Sequence, residues 1–388
     1  MNIKSNIWKM YAGCSLKELI FFIPIMVPFL SNLGLSMQEI LMLESGFAAM
    51  LVLFEIPSGY FADLYGRKKS LIIGSLLDFL GMTIFIFSSS FEGFFIGEII
   101  LGIGSSFCSG AEEALIYETL LEVKENSRYK KIQGNMYFYA RIASTFSSIT
   151  GALLAAVFLR LPFYATLVPW ALWVGINFTL VEPKEHKKSF EKWGHFVKIC
   201  KESFVDNKKL RYFLIYSAIP PGFFMMSFWL YQRYMGFVEL PIFYFGFVIA
   251  AMNIFSGLGS KYAKEIEEKL TPKISLIIIP VLSVIVWSVF AGVKSLWILP
   301  LVLVTGPLWG FVGVIINDFI HKIVSSDRRA TVLSIRSFLS RGIFLVLAPF
   351  LGFVTDVYSI QMAFAAAAVT LFALTAVSFV SLKMVKIL

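Results

Sequence analysis

The chain has 388 residues, of which 58% are hydrophobic and only 15% charged, with a mean hydropathy of +0.78. Soluble domains hold about 45–50% apolar residues, so a water-soluble fold has nowhere to bury this surface. The net charge of +9 does not point to nucleic acid, because its Lys and Arg are dealt out between alternate connections of an apolar chain.

Roughly 20 apolar residues at 1.5 Å each cross the hydrocarbon core of a bilayer. Runs of this kind are expected at residues 11–30, 38–58, 71–89, 93–117, 136–157 and 162–182, then at 212–234, 241–262, 274–293, 296–319, 333–354 and 359–382. Basic residues gather at 67–69, 124–131, 184–211, 261–273 and 322–329, whereas the intervening connections hold at most one each, Arg160, Arg233 or Lys294. Positive charge is retained on the inner face, so this alternation predicts cytoplasmic termini. The even count of twelve agrees.

Residues 183–210 separate the two sets of six. This mixed-charge stretch includes His186, Trp193 and His195 and is long enough for a short helix on the inner membrane surface, where each basic residue gains about 1 kcal/mol from anionic lipid. It predicts a linker between an N-terminal bundle, 1–182, and a C-terminal bundle, 211–388. The halves echo one another. Arg128 precedes Arg141 by 13 positions and Arg328 precedes Arg341 by the same interval, and Ser58-Gly59 has a counterpart in Ser256-Gly257. A six-plus-six duplication is the arrangement of transporters whose halves rock about a central site.

Cys14, Cys108 and Cys200 are widely separated and form no paired motif, so neither a disulfide framework nor a metal site is expected. No Walker motif is present, and Gly102-Ile103-Gly104 lies inside an apolar run, where it serves helix packing rather than a dinucleotide. Three histidines, two of them in the linker, make no catalytic group. The chain is expected to be neither an enzyme nor a cofactor-binding protein.

The connection after the second run reads Gly59-Tyr60-Phe61-Ala62-Asp63-Leu64-Tyr65-Gly66-Arg67-Lys68-Lys69. A topogenic turn needs only its positive charges; Gly59, Gly66 and Asp63 ask for close backbone approach, positive φ and capping or pairing. Together with the preceding Glu55-Ile56-Pro57-Ser58, this segment closely resembles the signature loop of the major facilitator superfamily, G-x-x-x-D-x-x-G-R-[RK], in spacing, chemistry and position. Residues 109–118 and 329–334 are similar to a bacterial, drug-efflux-like branch of that superfamily.

The resemblance implies an all-α integral membrane protein with twelve transmembrane helices in two six-helix bundles, working as a monomer in the bacterial cytoplasmic membrane. It also implies a charge latch. Asp63 faces the positive N-terminal end of the eleventh span, and Arg67 engages an acid below the fourth, Glu118 first and Glu112 next. The latch holds the state closed to the cytoplasm and breaks for the opposite one. Two segments depart from the pattern. Residues 257–264 lack the Asp, which implies a weaker latch in the second half, and Ser147-Ser148-Ile149-Thr150-Gly151-Ala152 stands where many antiporters of the family are rich in Gly and Pro.

An ionisable residue within a span costs at least about 2.5–3.5 kcal/mol and asks for a reason. Proton or substrate candidates are Glu18, Glu44, Asp78, Glu98 and Asp318, with Lys17 expected to pair with another helix. Glu98, four residues before Gly102, stands where the family often has Arg. Facing a cavity it carries a proton or meets a cationic substrate; near the outer interface it is merely hydrated or paired. Arg141 and Arg341 read as inner-gate residues. Trp229, Tyr231, Gln232, Asn253 and Asn317 are cavity candidates in the second half.

The sequence therefore predicts a secondary transporter of a small molecule, driven by protons, with export of amphipathic or cationic compounds preferred over import of a metabolite. A membrane sensor on the same fold is the alternative of a different class. Its mark would be a large extra cytoplasmic domain, for which the linker is too short.

Overall fold

A segment that crosses a bilayer alone must satisfy its own backbone N–H and C=O groups, and the α-helix does this. The computed structural model describes residues 2–184, 204, 207–270, 272–325 and 328–384, and it is helical throughout, with no strand among those residues. The helices are α1 (Ser5–Lys17), α2 (Met26–Asn32, entered through a 3-10 turn at Ile23–Ile25), α3 (Met37–Tyr65), α4 (Arg67–Phe87), α5 (Phe91–Glu122), α6 (Tyr129–Val157) and α7 (Leu161–Thr179). After the linker come α8 (Lys208–Phe237), α9 (Phe245–Lys261), α10 (Ala263–Lys269), α11 (Pro272–Gly292), α12 (Val302–Ile323), α13 (Arg329–Val357) and α14 (Ile360–Met384).

Eleven helical segments of the described residues are long and apolar enough to cross a membrane. The remaining run, 11–30, is not one helix: α1 ends at Lys17 and α2 begins only at Met26. Large apolar side chains such as Phe87, Val157, Val369 and Phe372 stand exposed on helix surfaces, which suits lipid rather than water. The linker expected at 183–210, with its surface helix, lies largely outside the described residues.

Contacts divide the chain into two compact units. The first holds Met1–Leu35, Met42–Ser189 and Ile242–Ala250; the second holds Ser36–Leu41, Phe190–Pro241 and Ala251–Leu388. In the first, α4 and α5 pack along small residues. A Cβ on Gly74 would stand 2.8 Å from the Gly104 carbonyl oxygen, and one on Gly81 2.9 Å from that of Gly97, so the backbones touch as small-residue seams allow. The Arg160 guanidinium donates to the carbonyls of Ile86 (3.2 Å) and Ser88 (3.1 Å), closing the end of α4. Asn6, fully buried, donates to Thr119 Oγ1 and the Val181 carbonyl and accepts from Val181 N, which ties α1 to the chain beyond α7.

In the second unit α8 packs against α13 and α14, and α11 against α14. The Tyr216 hydroxyl donates to the Leu276 carbonyl (2.9 Å), and Trp287 Nε1 donates to the Tyr231 hydroxyl (2.8 Å). The carboxylate of Asp356 accepts from Met37 N (2.9 Å) and Gln38 N (2.7 Å), capping the first turn of α3 within this unit.

Candidate functional site

The signature segment is less of a loop than its sequence suggests. Residues 59–65 form the last two turns of α3, and Gly66 alone separates α3 from α4. Its φ of 106° lies where side chains other than glycine are strained. Gly59 is helical, and a Cβ there would meet nothing within 4 Å, so the close approach expected of it is made at Gly66 instead.

Three acids surround the start of α4. Glu182 accepts from Arg67 N (2.7 Å) and Lys68 N (2.8 Å), placing a negative charge at the helix N-terminus. Arg67 Nη2 lies 2.6 Å from Asp63 Oδ1, one turn back on α3, and 3.1 Å from Glu118 Oε1 on α5, which also accepts from Arg67 Nε. Asp63 is buried, and a guanidinium held by two carboxylates is strongly fixed. Arg67 thus bonds three segments of the first unit. Glu112 is not among its partners; it lies 3.0 Å from Lys17 Nζ.

Lys17 stands at the break in the first apolar run. Backbone left unpaired at membrane depth needs partners from neighbouring helices, and three side chains on α6 and α7 supply them. Trp170 Nε1 donates to the Lys17 carbonyl (3.1 Å), Ser147 Oγ to the Glu18 carbonyl (3.3 Å), and Phe21 N donates to Thr166 Oγ1 (3.1 Å). The break also presses into α6, where a Cβ on Gly151 would sit 1.8 Å from the Phe21 carbonyl oxygen. Segment 147–152, unlike the family's Gly-Pro-rich pattern, is therefore shaped to receive the broken helix. Lys17 Nζ lies 5.5 Å from the centre of the Trp173 ring, and Glu18 pairs at 3.8 Å with Arg141, whose side chain is largely exposed.

Deeper in the first unit are three buried or half-buried acids. Asp78, 2% exposed on α4, accepts from Ser105 Oγ at 3.3 Å and feels the charge of Lys17. Glu98, 5% exposed on α5, and Glu44 on α3 lie close enough to feel each other's charge. The α3–α5 contacts explain this, because a Cβ on Gly46 would meet the Phe95 ring at 2.7 Å and one on Gly102 the Phe47 carbonyl oxygen at 2.6 Å. Helical spacing puts Phe95, Glu98 and Gly102 on one face of α5. Among the described residues neither the Glu44 nor the Glu98 side chain has a hydrogen-bond or ion-pair partner.

The candidates of the second unit scatter. Trp229, Tyr231 and Gln232 are buried, and Tyr231 is packed among Trp287, Phe290 and Phe364, which makes it core rather than cavity wall. Asn253 and Arg341 are half-buried. Asp318, half-buried, lies 2.5 Å from the exposed Lys322 one turn on, so its charge is paired along α12 near the end of that helix. Asn317 Oδ1 accepts from Arg336 Nη1 (3.0 Å).

Residues 12–349 match the description Major Facilitator Superfamily. The chain belongs to that superfamily. Its sequence is 28% identical over 207 residues to Multidrug resistance protein 2 of Bacillus subtilis, covering 51% of this chain and 49% of that one. It is 26% identical over 145 residues to an uncharacterized MFS-type transporter of Methanocaldococcus jannaschii, covering 37% and 36%. The chain thus spans half or less of the curated relatives it matches. In fold it is similar to the nucleoside transporter NupG (TM-score 0.82, 15% identity, 99% of this chain and 100% of that one). It is also similar to a bacterial homolog of the human lysosomal transporter Spinster, in an inward-facing and unoccupied conformation (TM-score 0.80, 14% identity, 98% and 97%).

Within this superfamily member, two features escape the sequence. Glu182 lies at the end of an apolar run, 115 residues from Arg67, and nothing in its neighbourhood marks it as a cap. Arg336 falls within the apolar run 333–354 but close to Arg328, Arg329 and Arg341, so it passes for part of a basic inner-face cluster. An Arg inside an apolar run was the available signal.

Proposed function

We propose that this protein is a secondary active transporter that moves a small amphipathic compound by alternating access with protons as the coupling ion, export being the favoured direction. The observation that carries the reading is Glu98. It is a buried acid on a membrane helix, beside a second acid and without a cation partner among the described residues. An acid so placed can take up and release a proton as its surroundings alternate between wet and dry. Glu44 shares that proton, Asp78 is the second carrier, and the acids of the first unit are assigned to protons rather than to a cationic cargo.

The cluster of Asp63, Arg67 and Glu118 is proposed as the latch that must loosen once per cycle. The broken first run counts as the twelfth span, both termini are cytoplasmic, and the protein works as a monomer in a bacterial cytoplasmic membrane. Similarity to a multidrug resistance protein supports export. Import of a metabolite is the second reading, favoured by segment 147–152, which seats the broken span in place of the antiporter pattern.

The test is a substrate screen in proteoliposomes with and without an imposed pH gradient. Flux of an amphipathic compound that follows the gradient supports the reading. Flux indifferent to the gradient removes proton coupling, and no flux for any compound returns the fold to a sensor.

A further inference from the structure

A guanidinium inside an apolar span needs acceptors for its N–H groups and a counter-charge nearby. Arg336 lies seven residues into α13, about 10 Å along its axis from Arg329. Its Nη1 donates to Asn317 Oδ1 on α12 at 3.0 Å, while its Nε is buried and meets no acceptor. Ser340 Oγ, on the next turn, donates to the Arg336 carbonyl (3.1 Å) and not to the side chain's neighbours.

The protein brings this cation no counter-charge among the described residues. The helices packed most closely on α13 are α8, α14 and α12. Neither α8 nor α14 contains an Asp or Glu, and α12 contains only Asp318, held at 2.5 Å by Lys322. On α13 itself the one acid is Asp356, about 30 Å further along the axis, and it caps Met37 and Gln38. Arg336 therefore has one neutral amide and an unused donor. Buried polar groups almost always find a partner, so the missing one belongs to a ligand.

We propose that Arg336, oriented by Asn317, is an oxyanion site that takes a carboxylate or phosphate group of the transported compound. The bond to Asn317 engages Nη1 and leaves the Nε–Nη2 edge, whose two parallel N–H groups match two oxygens of such a group. A lipophilic cation is repelled there, and a sugar hydroxyl brings no counter-charge. Asn317 acts as a positioning residue. The cargo is thereby narrowed to amphipathic anions. The inference rests on the transport reading only for the ligand being cargo.

The test uses the full chain in phosphatidylcholine nanodiscs, with thermal unfolding followed at constant ionic strength. Sodium chloride is replaced by sodium phosphate or sodium 1-naphthoate, and 1-naphthylmethylammonium chloride is the cation of matching shape. The wild type is expected to gain a saturable rise in Tm from an oxyanion and none from the ammonium. Arg336→Gln loses that rise, and Arg336→Lys, which keeps charge without the fork, shifts its midpoint by roughly tenfold; should the Gln variant not fold, the Lys variant carries the comparison. An equal response of wild type and variants to both anions, or none in the wild type, overturns the site. A rise that needs phosphatidylglycerol in the disc and no soluble anion assigns the same site to a lipid headgroup. Arg336-dependent anion binding without any flux would remove the transport reading and leave the site. A cation carried equally by wild type and Arg336→Gln would do the reverse.

Discussion

The carboxyl group of Glu182 occupies the space where a side chain on Gly66 would stand. A Cβ there would lie 2.7 Å from both Cδ and Oε2, and the backbone φ of 106° disfavours one in any case. The same carboxylate caps Arg67 N and Lys68 N, so the turn, the cap and the start of α4 are one construction. Gly66→Ala is expected to lower the Tm of the purified protein, combining about 1–3 kcal/mol of backbone strain with a displaced cap. Glu182→Gln, with one accepting oxygen in place of two, is expected to cost less. An unchanged Tm for Gly66→Ala would show that the turn is not held this way.

Breaking the latch is expected to cost rate rather than assembly. Asp63→Asn keeps the shape of the buried side chain but removes the charge 2.6 Å from Arg67, while Glu118 still holds the guanidinium. The variant is expected to reach the membrane in normal amount and to transport at a small fraction of the wild-type rate in proteoliposomes. Wild-type rates from the purified variant would refute the latch.

The interrupted first span gives a stability test that removes no charge. Gly151→Ala drives a methyl into the Phe21 carbonyl, 1.8 Å from the ideal Cβ position, and overpacking of this kind costs about 1–3 kcal/mol. Thr166→Val removes the acceptor for Phe21 N at about 1–3 kcal/mol for an orphaned buried donor. Both are expected to lower Tm, and the second to lower it without a change in helix content by circular dichroism. A neutral Thr166→Val would mean that another group satisfies the break.

What was legible in the sequence follows from what spacing can encode. The helical spans and their order came from runs of apolar residues, because bilayer thickness fixes their length. The signature segment announced a turn with paired charges, and Arg67 and Glu118 do meet, 3.1 Å apart. The break at 18–22 was hidden because Pro24 and Pro28 sit in an unbroken apolar run, and the groups that permit it lie on α6 and α7. Asp318 misled for the opposite reason: its run continues to Ile320, yet the side chain is already paired with Lys322 one turn on. Tyr231 looked like a cavity polar group, but its hydroxyl is taken by Trp287. Depth and helix rotation decide such cases, and neither is written in spacing.

Replacing Glu98 by Gln separates proton coupling from exchange. The side chain is buried and has no hydrogen-bond partner among the described residues, so the neutral isostere should fold. The measurement is uptake of a transported compound into proteoliposomes with and without an imposed pH gradient, beside exchange at equal pH. Wild type is expected to accumulate the compound only with the gradient. Glu98→Gln is expected to keep exchange and lose accumulation. Gradient-driven accumulation at the wild-type level in Glu98→Gln would show that Glu98 does not carry the proton.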